Sequence, residues 1–382
     1  MAFTSIDDPS VYFQTALWSG DNADTRNITN DGNSDLQPDW VWIKCRNTAG
    51  NGFSHNVWDT SRGVSSSINT GLFPDVTDQE GGGDSITTTA QLGGVSAMLS
   101  DGFTVKEGSS SDDARYVNEN SRTYVAWQWK ANGGTTTTND ASATSVGTID
   151  SVYQANTDAG FSIITYTGDG NDNASFAHGL GAIPHFHIIK RRSGTEDWVV
   201  YHHENTSNPN TDHLLLNTTD ATSDSDTRYS DAGPSATTIT MGNNAVINGN
   251  GSTYVCYAFT EKQGYSRFGH YTGNGLEPGG PFVYTGFKPA WIIIHASSES
   301  GQAWFIVDNK RDPDNIAVAK LASNTNSTES AAVGDNNLDF LSNGFTIRTQ
   351  DDAMNKNGVT FLYAAFAENP FVSSEGVPAT AR

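Results

Sequence analysis

Six of the nine histidines fall between residues 178 and 213: His178, His185, His187, His202, His203 and His213. Alternate residues of a strand face the same side, so the run PHFH offers His185 and His187 to one ligand. His202, in the next strand-like run DWVVYHHEN, completes a three-imidazole set suited to a transition metal. A plainer reading competes with this. His178 sits in the turn HGLG, the related regions elsewhere in the chain lack the pair, and half-exposed positions on a sheet face would accommodate the same residues. His185, His187 and His202 are therefore the metal candidates.

Other chemistry is less well specified. Glycoside hydrolysis needs two carboxyl groups several ångströms apart across a cleft, and 43 acidic residues do not single out a pair. Asp59 with Arg62 and Asp308 with Arg311 recur at equal positions, where the middle of the chain has His202 and Asn205. They read as salt-linked turns. The chain has no GxSxG motif, so no catalytic residues and no enzyme are expected. The acidic loops DVTDQEGGGD and DGNDN have oxygen donors for a loosely held calcium ion but lack EF-hand spacing. Cys45 and Cys256 lie in separate strand-like runs and read as free buried thiols. Eight of the nine tryptophans also fall in such runs, which makes most of them core.

The elements that must position these residues repeat. FQTALWSGDN (13–22), FSIITYTGDG (161–170) and SRFGHYTGNG (266–275) share an opening strand and a glycine turn. Pro38, Pro184 and Pro289 each introduce an apolar run, as suits proline at the mouth of a strand. RTYVAWQW, STYVCYAF and VTFLYAAF close the copies. Pro184 and Pro289 are roughly 105 residues apart, the size of a β-sandwich domain rather than a solenoid rung. The expected fold is all-β: three tandem β-sandwich, jelly-roll-like repeats of about 105–130 residues. Repeat one covers 1–131, repeat two 161–263, and repeat three 264–382 with a C-terminal tail; 132–160, rich in Thr, Ser and Gly, reads as a linker with room for one edge strand. The recurrent YTG turn reads as scaffold, with glycine supplying positive φ and tyrosine packing inward. A phosphate cradle would need a helix after the turn.

Composition sets the remaining limits. Thirty-eight glycines and frequent Asn and Asp clusters interrupt any long helix. A net charge of −22 repels a nucleic-acid backbone, and Lys190, Arg191 and Arg192 read as a solvated turn. The opening MAFTSIDDPS has no basic n-region or apolar h-region, and no apolar run approaches membrane-spanning length. The expectation is a chain made in the cytoplasm and neither Sec-exported nor membrane-inserted.

IDDPSVYFQTALWSG, NDGNSDLQPDWVWIK, HGLGAIPHFHIIK, GYSRFGHYTGNG, PFVYTGFKPAWIII, DNKRDP, LDFLSNGFTIRT and AAFAENPFVSSEGVPATAR span nearly the whole chain. On these segments it resembles the virion structural proteins of marine bacteriophages, often described as tail-fibre-like. That resemblance implies a virion-exterior protein, with a tail-fibre or receptor-binding role in host attachment, or alternatively a capsid or tail decoration protein. It implies other virion proteins as partners, a homo-oligomer such as a trimer, and a host surface glycan or outer-membrane receptor. His-x-His pairs hold iron in some phage fibre tips, which bears on His185 and His187. The loops at 73–94, 205–213, 219–238 and 325–337 differ most among the copies and are the expected recognition surfaces.

Overall fold

The computed structural model describes residues 4–47, 53–82, 88–110, 114–331 and 337–379. The chain is all-β. Repeat one contains β1 (Phe13–Ser19), β2 (Thr25–Ile28), β3 (Trp40–Cys45), β4 (Asn56–Asp59), β5 (Gly94–Met98), β6 (Phe103–Lys106) and β7 (Thr123–Trp129). Next come β8 (Thr137–Asn139) and β9 (Ser151–Asn156). Repeat two contains β10 (Phe161–Thr167), β11 (Ala174–Ala177), β12 (Phe186–Arg191), β13 (Val199–His202), β14 (Asp212–Leu215), β15 (Ser223–Asp224), β16 (Thr238–Met241) and β17 (Thr253–Phe259). Repeat three contains β18 (Ser266–Thr272), β19 (Phe282–Tyr284), β20 (Phe287–Ala296), β21 (Phe305–Asp308), β22 (Lys320–Ala322), β23 (Leu338–Leu341), β24 (Gly344–Ile347) and β25 (Thr360–Pro370).

Hydrogen bonding gives each repeat the same plan, a large antiparallel sheet backed by a small one. The large sheets run β1-β7-β3-β4, β10-β17-β12-β13-β14-β15 and β18-β25-β20-β21-β22; the small sheets are β2-β6-β5, β11-β16 and β19-β24-β23. The stretch 132–160 is not a free linker. β9 pairs with β10 from Ser151↔Tyr166 to Asn156↔Phe161, and β8 pairs with β9, so the connection widens the second large sheet. Its Thr- and Ser-rich composition also suits an edge strand, which pairs on one side and meets water on the other.

Each large sheet is buried on both faces. In β3, Val41, Ile43 and Cys45 join the small sheet of their own repeat, whereas Trp40 and Trp42 join a cluster shared by all three repeats. In β17, Tyr254, Cys256 and Ala258 face inward, and Val255, Tyr257 and Phe259 face the shared cluster. The period of two therefore sorts each strand between two apolar environments, which is why these antiparallel strands read as nearly unbroken apolar runs.

The shared cluster joins each repeat to both others. Trp40 stacks on Tyr257 with ring centroids 4.4 Å apart, Trp129 meets Trp291 edge-on at 5.5 Å, and Phe259 meets Phe366 at 5.5 Å. The three repeats thus close a ring around an aromatic centre. Only about 10 Å³ is enclosed there, lined by apolar groups including Trp40, Trp129, Phe259 and Trp291. A void of that size and lining is packing, not a ligand site.

The recurrent glycine turn braces each repeat. Tyr166 donates its hydroxyl to the Ile247 carbonyl at 2.7 Å, Tyr271 does the same to Met354 at 2.7 Å, and Trp18 Nε1 reaches the Val117 carbonyl at 2.8 Å. The first glycine is required by close approach rather than by positive φ. A Cβ on Gly20, Gly168 or Gly273 would sit 2.0, 2.7 or 2.3 Å from the carbonyl oxygens of Glu119, Gly249 and Lys356 respectively. Positive φ appears two residues later, at Gly170 and Gly275.

Because Trp40 carries the contact between repeats one and two, Trp40→Ala is expected to cost about 3–5 kcal/mol. Leu276→Ala, at a side chain 56% exposed, should change stability by no more than about 0.5 kcal/mol. Urea unfolding of the two variants measures the difference.

Candidate functional site

The polar groups that sequence suggests for chemistry converge on the junctions between repeats. Each junction is built from the same positions, so its contacts come in sets of three. Just before β4, β13 and β21, a ring N–H of His55, Trp198 or Trp304 donates to a carbonyl of the neighbouring repeat: Ala322 at 3.0 Å, Phe73 at 2.8 Å and Leu215 at 3.0 Å. His55 Nδ1 accepts from Trp42 Nε1 at 2.9 Å, which leaves Nε2 to carry the proton. Lys44, Lys190 and His295, equivalent positions on β3, β12 and β20, reach the carbonyls of Asn326 (2.8 Å), Thr77 (2.8 Å) and Asp220 (3.0 Å). The backbone N–H groups of Glu329, Glu80 and Thr222 donate to the carbonyls of Arg46, Arg192 and Ser297. Repeat one thus docks on a loop of repeat three, repeat two on repeat one, and repeat three on repeat two.

Two junctions carry buried charge. Arg62 binds Asp59 at 2.5 Å and Glu80 at 3.0 Å, and Glu80 continues to Arg192 of repeat two at 2.9 Å. Arg311 binds Asp308 at 2.5 Å and Glu329 at 3.0 Å, and Glu329 continues to Arg46 of repeat one at 2.8 Å. Burial opposes both guanidinium charges, yet the adjacent carboxylates hold them above the usual arginine range. Asp59 also accepts the Tyr257 hydroxyl at 2.6 Å, and Asp308 accepts Trp127 Nε1 at 2.9 Å, so each carboxylate is tied to a neighbouring repeat.

At the third junction the equivalent buried positions are neutral, and an ion pair between repeats two and three, Arg267 with Glu261 at 3.0 Å, uses a half-exposed arginine. His202, Asn205 and Thr222 replace the Asp, Arg and Glu; Thr222 Oγ1 donates to Asn205 Oδ1 at 2.6 Å, and His202 Nε2 reaches the Tyr363 carbonyl at 3.2 Å. Changing one member alone would strand a buried charge, a cost of about 3–5 kcal/mol, so the whole set differs together.

These contacts revise several expectations. Lys190, expected on a solvated turn, is fully buried, and burial pushes its ammonium group down to about 7; Lys44 is pushed to about 8. Parts of three expected recognition loops dock instead: Thr77–Glu80 on repeat two, Asp220–Thr222 on repeat three and Asn326–Glu329 on repeat one. Residues 83–87 of the first loop and 332–336 of the last lie outside the described residues.

The structure does not bring His185, His187 and His202 together. β12 and β13 are registered with Phe186 opposite His202, which places His202 on the opposite face of the sheet from His187. His187 stacks on Tyr201 at 4.7 Å, with Nε2 3.0 Å from the Tyr229 hydroxyl. His185 lies before the strand, against His203 at 4.6 Å. Among the described residues, no group of three His, Cys, Asp or Glu is placed to hold a metal. In the DGNDN loop, Asp169 accepts from the backbone and side chain of Asn171. Asp75, in the other acidic loop, is buried, and burial raises its carboxyl to about 7. Cys45 and Cys256 are free and buried.

Glu80 and Glu329 were missed by sequence reasoning, although a signal existed. Each lies 18 residues after the arginine it binds, in a shared Asp-x-x-Arg plus distant Glu spacing. The repeat-one counterpart of the strands β14 and β22 was also missed; it is reduced to a single bridge, Val57↔Leu72.

The chain belongs to the family described as Domain of unknown function (DUF7483), whose match covers residues 8–370. That span includes all three repeats. No curated protein and no solved structure matches the chain. Among the described residues, no helix is long and apolar enough to cross a membrane.

The buried histidines make stability depend on acid. Burial holds His187 and His202 down at about 3, His178, His185, His213 and His295 at about 4, and His55 well below its usual value. Their folded pKa values lie below the unfolded value near 6.5, so the unfolded chain binds more protons between these limits. Stability from this source is complete above pH ~6.5 and falls as the pH drops toward 3–4. His187 and His202 should each withdraw about 2 kcal/mol by pH 5. Asp75, Asp39 and Asp212, whose carboxyl groups burial raises, act in the opposite sense and penalise the folded state as pH rises, but they are three groups against seven. The urea midpoint should be lower at pH 5.0 than at pH 7.5; an equal or higher midpoint would contradict this reading.

Proposed function

We propose that this chain is a non-enzymatic structural protein of a bacteriophage virion exterior, acting as a tail-fibre or receptor-binding component in host attachment. The observation that favours binding over catalysis is where the polar groups lie. The buried Asp, Glu, Arg and Lys groups of the junctions are engaged in joining repeats, while aromatic surface is presented outward. Phe282 and Tyr284 are 52% and 59% exposed on one face of β19, and exposed rings of this kind suit stacking on a glycan or insertion into a receptor groove. The sequence resemblance to marine phage structural proteins supports the virion setting. The net charge of −22 supports protein and glycan partners rather than the packaged genome.

A second reading, decoration of the capsid or tail without a receptor role, draws on the ring itself. One chain already supplies three related units around a centre, the arrangement that fits a threefold lattice position without a homotrimer. Quantitative mass spectrometry of purified virions against the major capsid protein distinguishes the readings. Tens of copies or fewer are expected for attachment, and loss of adsorption should follow Phe282→Ala with Tyr284→Ala. Hundreds of copies with normal adsorption would favour decoration, and absence from the virion would overturn both.

A further inference from the structure

The first strands of the large sheets, β1, β10 and β18, occupy equivalent places, and each turns a backbone edge away from its own sheet. In β1, Tyr12 and Gly20 bond to β7, which leaves Phe13, Thr15 and Leu17 directed outward. The same reasoning directs Phe161, Ile163 and Thr165 outward in β10, and Ser266, Phe268 and His270 in β18. At each edge the outward residues face the junction with another repeat.

Two of these edges are filled. β9 lies along β10, and Gln154, paired with Ile163, sends its amide across the junction to Thr60 Oγ1 at 2.7 Å and Ser61 Oγ at 2.9 Å. On β18, the Phe268 N–H donates to Glu261 at 2.9 Å and its carbonyl accepts from His203 Nε2 at 2.8 Å. The β1 edge has neither plug. Glu368 and Asn309 hold the places of Glu261 and His203 but bond each other at 2.5 Å. Among the described residues, no hydrogen bond reaches the outward N–H and C=O of Thr15, and its Oγ1 is buried without a partner. A cleft of about 610 Å³ opens there between repeats one and three, lined by Gln14, Thr15, Asp31, Asn309 and Lys310 among others. Lys310 and Asp31 pair at 2.7 Å across the two repeats, but both are exposed and the contact contributes little.

We propose that this cleft is a peptide-binding site, taking one extended polypeptide segment that adds antiparallel to β1 as β9 adds to β10. The groove is continuous with the interface between repeats three and one, and its ligand chemistry follows from the filled copy. The segment supplies alternating backbone donors and acceptors to Phe13, Thr15 and Leu17 over about the six-residue length of β9. Opposite Thr15 it carries a glutamine- or asparagine-like side chain, which reaches Asn309 and Lys310, the positions equivalent to Thr60 and Ser61. The occupant is a segment of a different protein. This chain's own matching strand is already seated in repeat two, and Ser374 of its tail is bonded to Asp7. The inference does not depend on the virion reading.

The test uses the full chain and a synthetic peptide with the sequence of residues 148–158, TIDSVYQANTD. Hydrogen exchange is read residue by residue. Saturating peptide should slow exchange at Phe13, Thr15 and Leu17 at least tenfold and leave Gln14 and Ala16 unchanged. The same peptide N-methylated at alternate residues should have no effect, because it cannot form the ladder. Thr15→Pro, which removes an outward N–H that edge strands can lose, should abolish protection; the N-methylated control remains decisive if that variant folds poorly. No slowing at millimolar peptide, equal slowing by the N-methylated peptide, or protection produced by dimerisation through β1 or by an oligosaccharide would each overturn the proposal.

Discussion

Trp40, Trp42, Trp127 and Trp129 face away from the small sheet of the repeat that carries them. A sheet apolar on both faces needs two covers, and the three-stranded partner supplies only one. Tryptophan buries about 150–250 Å², which at ~25 cal/mol per Å² is roughly 4–6 kcal/mol for each ring, an upper estimate because the unfolded chain is not fully extended. No repeat could leave four such rings in water and remain stable on its own. The second cover comes from the other repeats, and three sheets facing one centre are the arrangement that the rest of the structure depends on.

Apolar packing is non-directional, so the aromatic centre does not fix which edge meets which loop. The junctions do that. Donors at fixed places on β3, β12 and β20 meet carbonyls of a neighbouring loop, and the Asp–Arg–Glu chains add charge at two of the three positions. Buried ion pairs are weak evidence for net stability. Here they distinguish junctions: Thr222 and Ser297 stand at the third where charged groups stand at the other two, so a reversed order would place the Arg46 guanidinium against Thr222, or Glu80 against Ser297. Charge at these positions favours one order of repeats around the ring.

Much of this was legible in the sequence, and the illegible part has a physical cause. Strand period, opening prolines, glycine turns and closing runs are local, and they outline three copies of an all-β unit. The Asp59–Arg62 and Asp308–Arg311 turns were also visible because the partners are only three positions apart. What joins the repeats is not local. Trp198 bonds the Phe73 carbonyl 125 residues away, and Lys44 reaches Asn326 across 282. The candidate metal set failed on register: alternation along one run says nothing of the neighbouring strand, and only strand pairing shows that His202 faces away from His187. The segment 132–160 was legible only in part, because Thr and Ser serve both an exposed edge strand and a linker: room for one strand was read there, and the structure has two, β8 and β9.

The account treats the ring as one cooperative body rather than three domains on a string, a condition shared by the attachment and decoration readings because both need a rigid block. Differential scanning calorimetry of the intact chain tests this most directly. A closed ring predicts a single endotherm whose calorimetric enthalpy equals its van't Hoff enthalpy. Resolved transitions, or a calorimetric enthalpy near three times the van't Hoff value, would show that the repeats unfold independently and that the aromatic centre does not bind them into one structure.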